Sequence, residues 1–343
     1  MFTALIGEYS GNYKFADDID ADIVLKIVEA ELTEVTLPVS WTFTYDGAPH
    51  SVVENQTVSA VGVGEDGDAA WTYSFTDGGE YSAELTVKDV PSGGVYTVYY
   101  KAELANHKTE TGSFTVTVKA RSLTLYATAT TQYGTALPTG DDNFIYTGEA
   151  TEGKVLVSAE AGDINSGFAP DEGFDNLTKS NITYTSTYDA SEYDGIGSMY
   201  TITLTGGFTS SNYDIFYESG VVTVTPREVT VTLVQSTGHT YGNSAVDLSD
   251  DDEISDIAVL YETVENGFGH TLTDIVYYFS VSDSGEILEL TTSGRDLNNV
   301  GEYDIVLVEG AYNENYSISL QAGAGKYVIE QRPIGISFTN TSV

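Results

Sequence analysis

Apolar and polar residues alternate along most of this chain with a period of two, in short runs closed by glycine, asparagine or aspartate. In "GEYDIVLV", residues 301–308, Tyr303, Ile305 and Leu307 fall on one face. Tyr96, Val98 and Tyr100 do the same in an earlier run, and Tyr200, Ile202 and Leu204 in a middle one. Each of these is expected to be a half-buried strand. Few stretches carry a helical period. The pattern predicts an all-β chain of small β-sandwich, immunoglobulin-like domains with antiparallel sheets, and a β-grasp-like sheet is the alternative. A helix of more than about 12 residues packed on each sheet would favour that alternative.

The runs recur. "SFTVTVKARSLTL" at 113–125, "VVTVTPREVTV" at 221–231 and "KYVIEQRPIGI" at 326–336 are versions of one joint, and Arg121, Arg227 and Arg332 hold its basic position, 106 and 105 residues apart. Near the N-terminus "IVLKIVEAELTEV" has Ala30 in that position. Ahead of each joint stands an asparagine followed by an aromatic or histidine: Asn106 and His107, Asn212 and Tyr213, Asn315 and Tyr316. Asparagine there suits a turn in which it bonds its own backbone, while the ring covers a core edge. Beyond each joint comes a tyrosine-glycine turn, "YDG" at 45–47, "YG" at 133–134 and "YGN" at 241–243, where glycine supplies positive φ. The expected organisation is therefore a partial repeat at 1–28, complete repeats at 31–118, 121–224 and 227–329, and the start of another at 332–343. Met1 aligns with Thr201, so the chain is expected to be a piece of a longer array. Joints of three residues without a Gly/Ser run imply a semi-rigid rod. The insertion at 159–181 reads as a surface loop of the middle repeat.

The "YDG" and "YGN" openings, the Gly-x-Tyr strand, the Asn-Tyr turn and the "VTVTPREVTV" joint together resemble bacterial surface repeats of the MBG, or YDG/YGX, type. The resemblance covers most of the chain, with Ala30 and His107 as departures from the pattern. It implies tandem stalk modules, with no assigned chemistry, of large adhesin-like proteins that are secreted or attached to the cell wall. It implies an extracellular location, with neighbouring repeats as the main partners. A host protein or glycan is an alternative partner, reached through loops of the middle repeat.

Charge and composition narrow the chemistry. With 52 acidic against 13 basic residues the formal charge is -39, which disfavours nucleic acid and anionic membrane and suits a monomer kept apart by repulsion. There is no cysteine, hence no disulfide and no thiolate metal site. His50, His107, His239 and His270 show no ligand spacing, no phosphate-binding loop precedes a helix, and no catalytic set stands out, so an enzyme is not expected. No cofactor is expected either. Calcium is the one candidate, through three acidic clusters: Asp17, Asp18, Asp20 and Asp22; Glu65, Asp66 and Asp68; and Asp250, Asp251, Asp252 and Glu253. Trp41 and Trp71 are expected to pack on sheets rather than form a sugar-stacking row. Lys101 and Lys119 lie in or near core strands, where a Lys-Asn isopeptide bond is the alternative to a charge reaching water. "ALPTG" at 136–140 reads as a loop.

Overall fold

The computed structural model describes residues 28–63, 67–192, 194–261, 270–321 and 323–339. The expected partial repeat at 1–28, and with it Asp17, Asp18, Asp20 and Asp22, lies almost wholly outside them, as do Glu65 and Asp66.

The described chain is built of strands, and one pairing rule organises them. The first and last strands of each repeat run side by side in the same direction, which a hairpin cannot achieve and which closes a sandwich. In the middle repeat both are long. Arg121–Gln132 lies beside Tyr213–Thr225 in a six-stranded sheet, which continues on one side through Val155–Ala159 and Phe144–Ile145 and on the other through Tyr200–Thr209 and Thr178–Ser186.

In the last repeat the same two strands break and change sheets. Arg227–Leu233 pairs parallel with Tyr316–Gln321 and antiparallel with Ala258–Tyr261. Thr237–Thr240 pairs parallel with Tyr327–Glu330, opening a five-stranded sheet that runs on through Gly301–Val306, Ser280–Asp283 and Glu286–Leu288. The first repeat follows suit. Trp41–Thr44 runs parallel with Glu110–Lys119, followed by Val95–Glu103 and Ala70–Ser74, while Ala30 makes a parallel bridge to His107.

Among the described residues the α-helices are Asp251–Ile257 and Leu272–Ile275, both short and both in the last repeat. The chain is therefore all-β, with tandem immunoglobulin-like sandwiches, and the β-grasp alternative falls. Tyr200, Ile202 and Leu204 are buried on one face of their strand, as the alternation requires, and so are Tyr303 and Ile305. The expected joints are tighter still, since only Ala120 and Pro226 separate the strands on either side.

The described chain forms two compact units. The first is Met1–Arg121 with Ala169–Asp171 and Ser211–Tyr213, and the second is the remainder. The core of the first unit is centred on Val52, Tyr73, Val98, Phe114 and Val116, against which Trp41 and Trp71 pack half-buried. Trp41 Nε1 donates to the Val52 carbonyl at 2.8 Å, and Trp71 lies 5.6 Å from Tyr100, so both tryptophans are packing residues. Lys101 Nζ sits 4.2 Å above the Tyr81 ring, a cation-π contact that occupies the ammonium. In the second unit the core around Val231, Ile254, Ile275 and Tyr327 includes Tyr133, which comes from the middle repeat.

The insertion after Ala159 is more than a surface loop. Phe174 lies 4.8 Å from Tyr146 and 5.3 Å from Phe168, with Phe208 behind it, and Leu177 is buried. Deleting the whole segment would remove core, so its tip has to be probed by substitution.

Candidate functional site

The repeated motifs converge on the joint. In the second unit this is the ground around Pro226, where one long strand ends and the next begins. The Arg227 N–H donates to the Asn315 carbonyl at 2.9 Å. Asn315 Oδ1 accepts the Ile196 N–H at 2.8 Å, from the loop ahead of Tyr200–Thr209. The asparagine thus bonds the preceding repeat rather than its own backbone, as the turn reading had it. Gly195 makes the approach possible, because a Cβ there would lie 2.5 Å from Asn315 Oδ1.

Tyr316 stands edge-to-face on Tyr133, with centroids 5.4 Å apart and an interplanar angle of 82°. Its hydroxyl lies 2.7 Å from His270 Nδ1. The Arg227 guanidinium folds back over the tyrosine-glycine turn, and Nη2 donates to Thr135 Oγ1 at 3.4 Å.

The first unit holds the same set. The Arg121 N–H donates to the Asn212 carbonyl, and Asn212 Oδ1 accepts the Val90 N–H, each at 2.9 Å. Tyr213 stands edge-to-face on Tyr45 at 5.7 Å and 81°, and its hydroxyl accepts the Ala169 N–H. Ala30 donates to the Asn106 carbonyl in the same way as the two arginines. His107 departs from tyrosine in sequence but keeps the role: Nε2 accepts the Val63 N–H, so Nδ1 carries the proton and donates to the Ala105 carbonyl. In all three repeats the residue after the asparagine thus ties down a variable loop.

Two further motifs have fixed tasks. Tyr45, Tyr133 and Tyr241 each donate their N–H at 2.9 Å to the carbonyl of the last residue in their repeat's final strand, Lys119, Thr225 and Glu330. The glycines behind them, Gly47, Gly134 and Gly242, have φ of 81°, 76° and 76°, as expected. The hydroxyls of Tyr96, Tyr200 and Tyr303 donate to the carbonyls of Asp89, Gly195 and Asn299, in the first two cases holding the loop that Asn212 and Asn315 engage.

The "YDG" turn adds an electrostatic feature. His50 lies between two carboxylates, Nδ1 at 2.5 Å from Glu54 Oε2 and Nε2 at 3.0 Å from Asp46 Oδ1. Burial works against its charged form, but the hydrogen bonds to Asp46 and Glu54 outweigh it and raise the imidazole pKa. A raised folded-state pKa gives stability that is complete below the unfolded value near 6.5 and is lost as pH rises through the folded one. The melting temperature of the first repeat should therefore fall as pH rises above about 6.5, by an amount that His50→Gln removes. An identical pH profile in both proteins would refute this.

The remaining histidine packs beside a buried tyrosine. His239 Nδ1 is 2.9 Å from the Tyr327 hydroxyl, whose pKa burial pushes up to about 12. Of the acidic candidates, Asp250 caps the helix Asp251–Ile257 by accepting the Asp252 N–H, which places Asp251, Asp252 and Glu253 in its first turn. Asp68 is exposed and bridges Val61. Among the described residues no group of three or more His, Cys, Asp or Glu is placed to hold a metal ion. The "ALPTG" segment is a loop whose end borders a cavity of about 600 Å³, also lined by Asp141, Asn181 and Tyr184.

No protein-family model matches the chain, and no curated protein does. Among solved structures it is similar to the protocadherin gammaB7 EC3-6 cis-dimer, at 12% identity over 88% of this chain and 74% of that one, with a TM-score of 0.24. Drosophila N-cadherin EC1-3 gives 11% identity, 88% and 100% coverage and 0.24. SGBP-B of the Bacteroides ovatus mixed-linkage glucan utilization locus, in complex with a mixed-linkage heptasaccharide, gives 11%, 85% and 70%, and 0.18. Scores this low leave function to be argued from the residues.

Proposed function

We propose that this chain is a non-catalytic, extracellular segment of a large bacterial surface or secreted protein of the MBG, YDG/YGX type, in which clasped repeats form an adhesin stalk. One observation carries the reading: every motif that defines the repeat serves the joint. A binding protein would instead repeat a ligand site. The repeat boundaries are then 31–118, 121–224 and 227–329, meeting at Ala120 and Pro226. Neighbouring repeats are the principal partners, and the charge of -39 keeps the surface solvated and away from nucleic acid. We assign no resident cofactor, and the described acidic residues act as caps and solvating groups.

A second reading, direct adhesion to a host protein or glycan, is favoured by the tip of the middle repeat's insertion. There Asp163 Oδ1 accepts the N–H groups of Asn165 at 2.7 Å and Ser166 at 2.9 Å, fixing a turn that presents Ile164 at 86% exposure. A pre-ordered apolar tip loses little entropy on binding. Ile164→Ser separates the readings, because the exposed position leaves folding intact. Cell or matrix attachment of the displayed chain should be unchanged for a stalk, and a loss of roughly tenfold or more would move the assignment to adhesion.

A further inference from the structure

In the first and last repeats, the strand that begins the repeat lies parallel to the strand that ends it, and the bonds between them form an almost continuous ladder. In the last repeat the register runs from Arg227 beside Tyr316 to Thr232 beside Gln321. After the change of sheet it resumes with Thr237 beside Tyr327 and reaches Thr240 beside Glu330. The gap between the two stretches is bridged as well. Ser236 Oγ donates to the Ala324 carbonyl and accepts the Lys326 N–H, each at 3.0 Å, and the Thr237 N–H donates to the Lys326 carbonyl at the same distance. At the two extremes the Arg227 N–H meets the Asn315 carbonyl and the Tyr241 N–H meets that of Glu330, both at 2.9 Å.

The first repeat has the same order. Ala30 bridges His107, Trp41 to Thr44 register with Val116 to Lys119, and the Tyr45 N–H donates to the Lys119 carbonyl. In the last repeat the loaded strands are also held on their other flanks, Thr230 to Leu233 by Ala258 to Tyr261 and Tyr327 to Ile329 by Gly301 to Tyr303.

Parallel pairing decides how a pull on the chain acts. Because Arg227 is level with the start of the closing strand, the chain enters at one end of the pair and leaves, at Glu330, from the other. Tension between those two points runs along the strands, and the bonds of the ladder resist sliding together. Had the pair been antiparallel, entry and exit would lie at the same end, and the bonds would open one after another. With no cysteine in the chain, no disulfide shares that load.

We infer that the parallel pair is a shear clamp, and that the repeats carry tension along the chain rather than only spacing what lies at its ends. The inference rests on the stalk reading and gives that stalk its mechanical task. Resistance to a pull is set by the barrier to unfolding, so it is read as a rupture force and not as a melting temperature.

Single-molecule pulling in two directions tests it. The native chain offers no thiol, so handles attach only at introduced cysteines. Glu228→Cys with Glu330→Cys loads the last repeat along its strands, whereas Glu228→Cys with Ser317→Cys pulls apart two residues that face each other and peels the pair from one end. Glu228, Ser317 and Glu330 are exposed, and Ser319→Cys, also exposed and on the same strand, replaces Ser317→Cys if that variant fails to fold. The rupture force should be severalfold higher along the strands than in the peeling direction. Equal forces in the two directions overturn the inference, as does a higher force for peeling. Should that happen while Tyr316→Ala still uncouples the middle and last repeats in calorimetry, the stalk stands as a spacer and only the clamp falls. Unequal forces with no such coupling keep the clamp and remove the stalk.

Discussion

Gly220→Ala should destabilise the middle repeat by about 3 kcal/mol, the upper end of what overpacking a close contact costs. A Cβ on Gly220 would lie 1.8 Å from the Ala127 carbonyl oxygen, and one on Gly323 would lie 1.9 Å from that of Leu233. These are the same position twice. Each glycine lies seven residues after the tyrosine of the Asn-Tyr pair, and each carbonyl six residues after the joint arginine. The obstacle is backbone, so no rotamer change relieves it, and the last strand has to move off the first strand that it lies beside. Gly206→Ala is the control, because its Cβ would meet nothing closer than Thr183 Oγ1 at 3.7 Å. That change should be neutral or mildly stabilising, since alanine restricts the unfolded chain. Calorimetry resolves the comparison: the middle-repeat transition should shift down in Gly220→Ala and stay within a few degrees in Gly206→Ala. Equal melting curves for the two variants would refute the close crossing.

That glycine is part of the sequence repeat, yet its reason was not legible there. What a sequence shows well is local: the face of Tyr200, Ile202 and Leu204, the positive φ behind Tyr45, Tyr133 and Tyr241, and the order in which motifs recur. Each motif's partner lies elsewhere. Asn315 bonds a residue 119 positions earlier and Asn212 one 122 positions earlier, so the asparagine, read alone, suggested only a turn on itself. His107 illustrates the same limit, since a ring nitrogen and a phenol oxygen share no letter but accept the same kind of N–H. The aromatic cluster of Phe168, Phe174 and Tyr146 is illegible in the sequence for another reason. It is set among glycines and aspartates without periodicity, and irregular segments announce no buried face. Asp250 to Glu253 did carry a readable signal, an aspartate cap with acids in the first turn, which competes with a cation-binding reading of the same letters.

Tyr316→Ala should have the largest effect on the joint, because it removes a contact that two repeats share. The side chain is 2% exposed, packs on Tyr133 and holds His270 through its hydroxyl. Truncating a buried aromatic costs about 3 to 5 kcal/mol, and the edge-to-face pair accounts for roughly 1 of that. The loss should not fall on the last repeat alone. Tyr133 belongs to the core of the second unit, so exposing it weakens the middle repeat as well and removes the apolar part of the coupling between the two. In calorimetry the native protein should melt the middle and last repeats in one cooperative transition, and Tyr316→Ala should split it into two, both at lower temperature. Tyr316→Phe keeps the ring and loses the His270 bond, so it should cost only about 1 kcal/mol of stability and leave the peak unsplit. Tyr241→Ala, which truncates a partly exposed ring, should change the stability of the last repeat by no more than about 0.5 kcal/mol. If Tyr316→Ala shifts the last repeat alone and leaves the middle repeat where it was, the joint transmits nothing, and the repeats are beads on a chain rather than segments of a stalk.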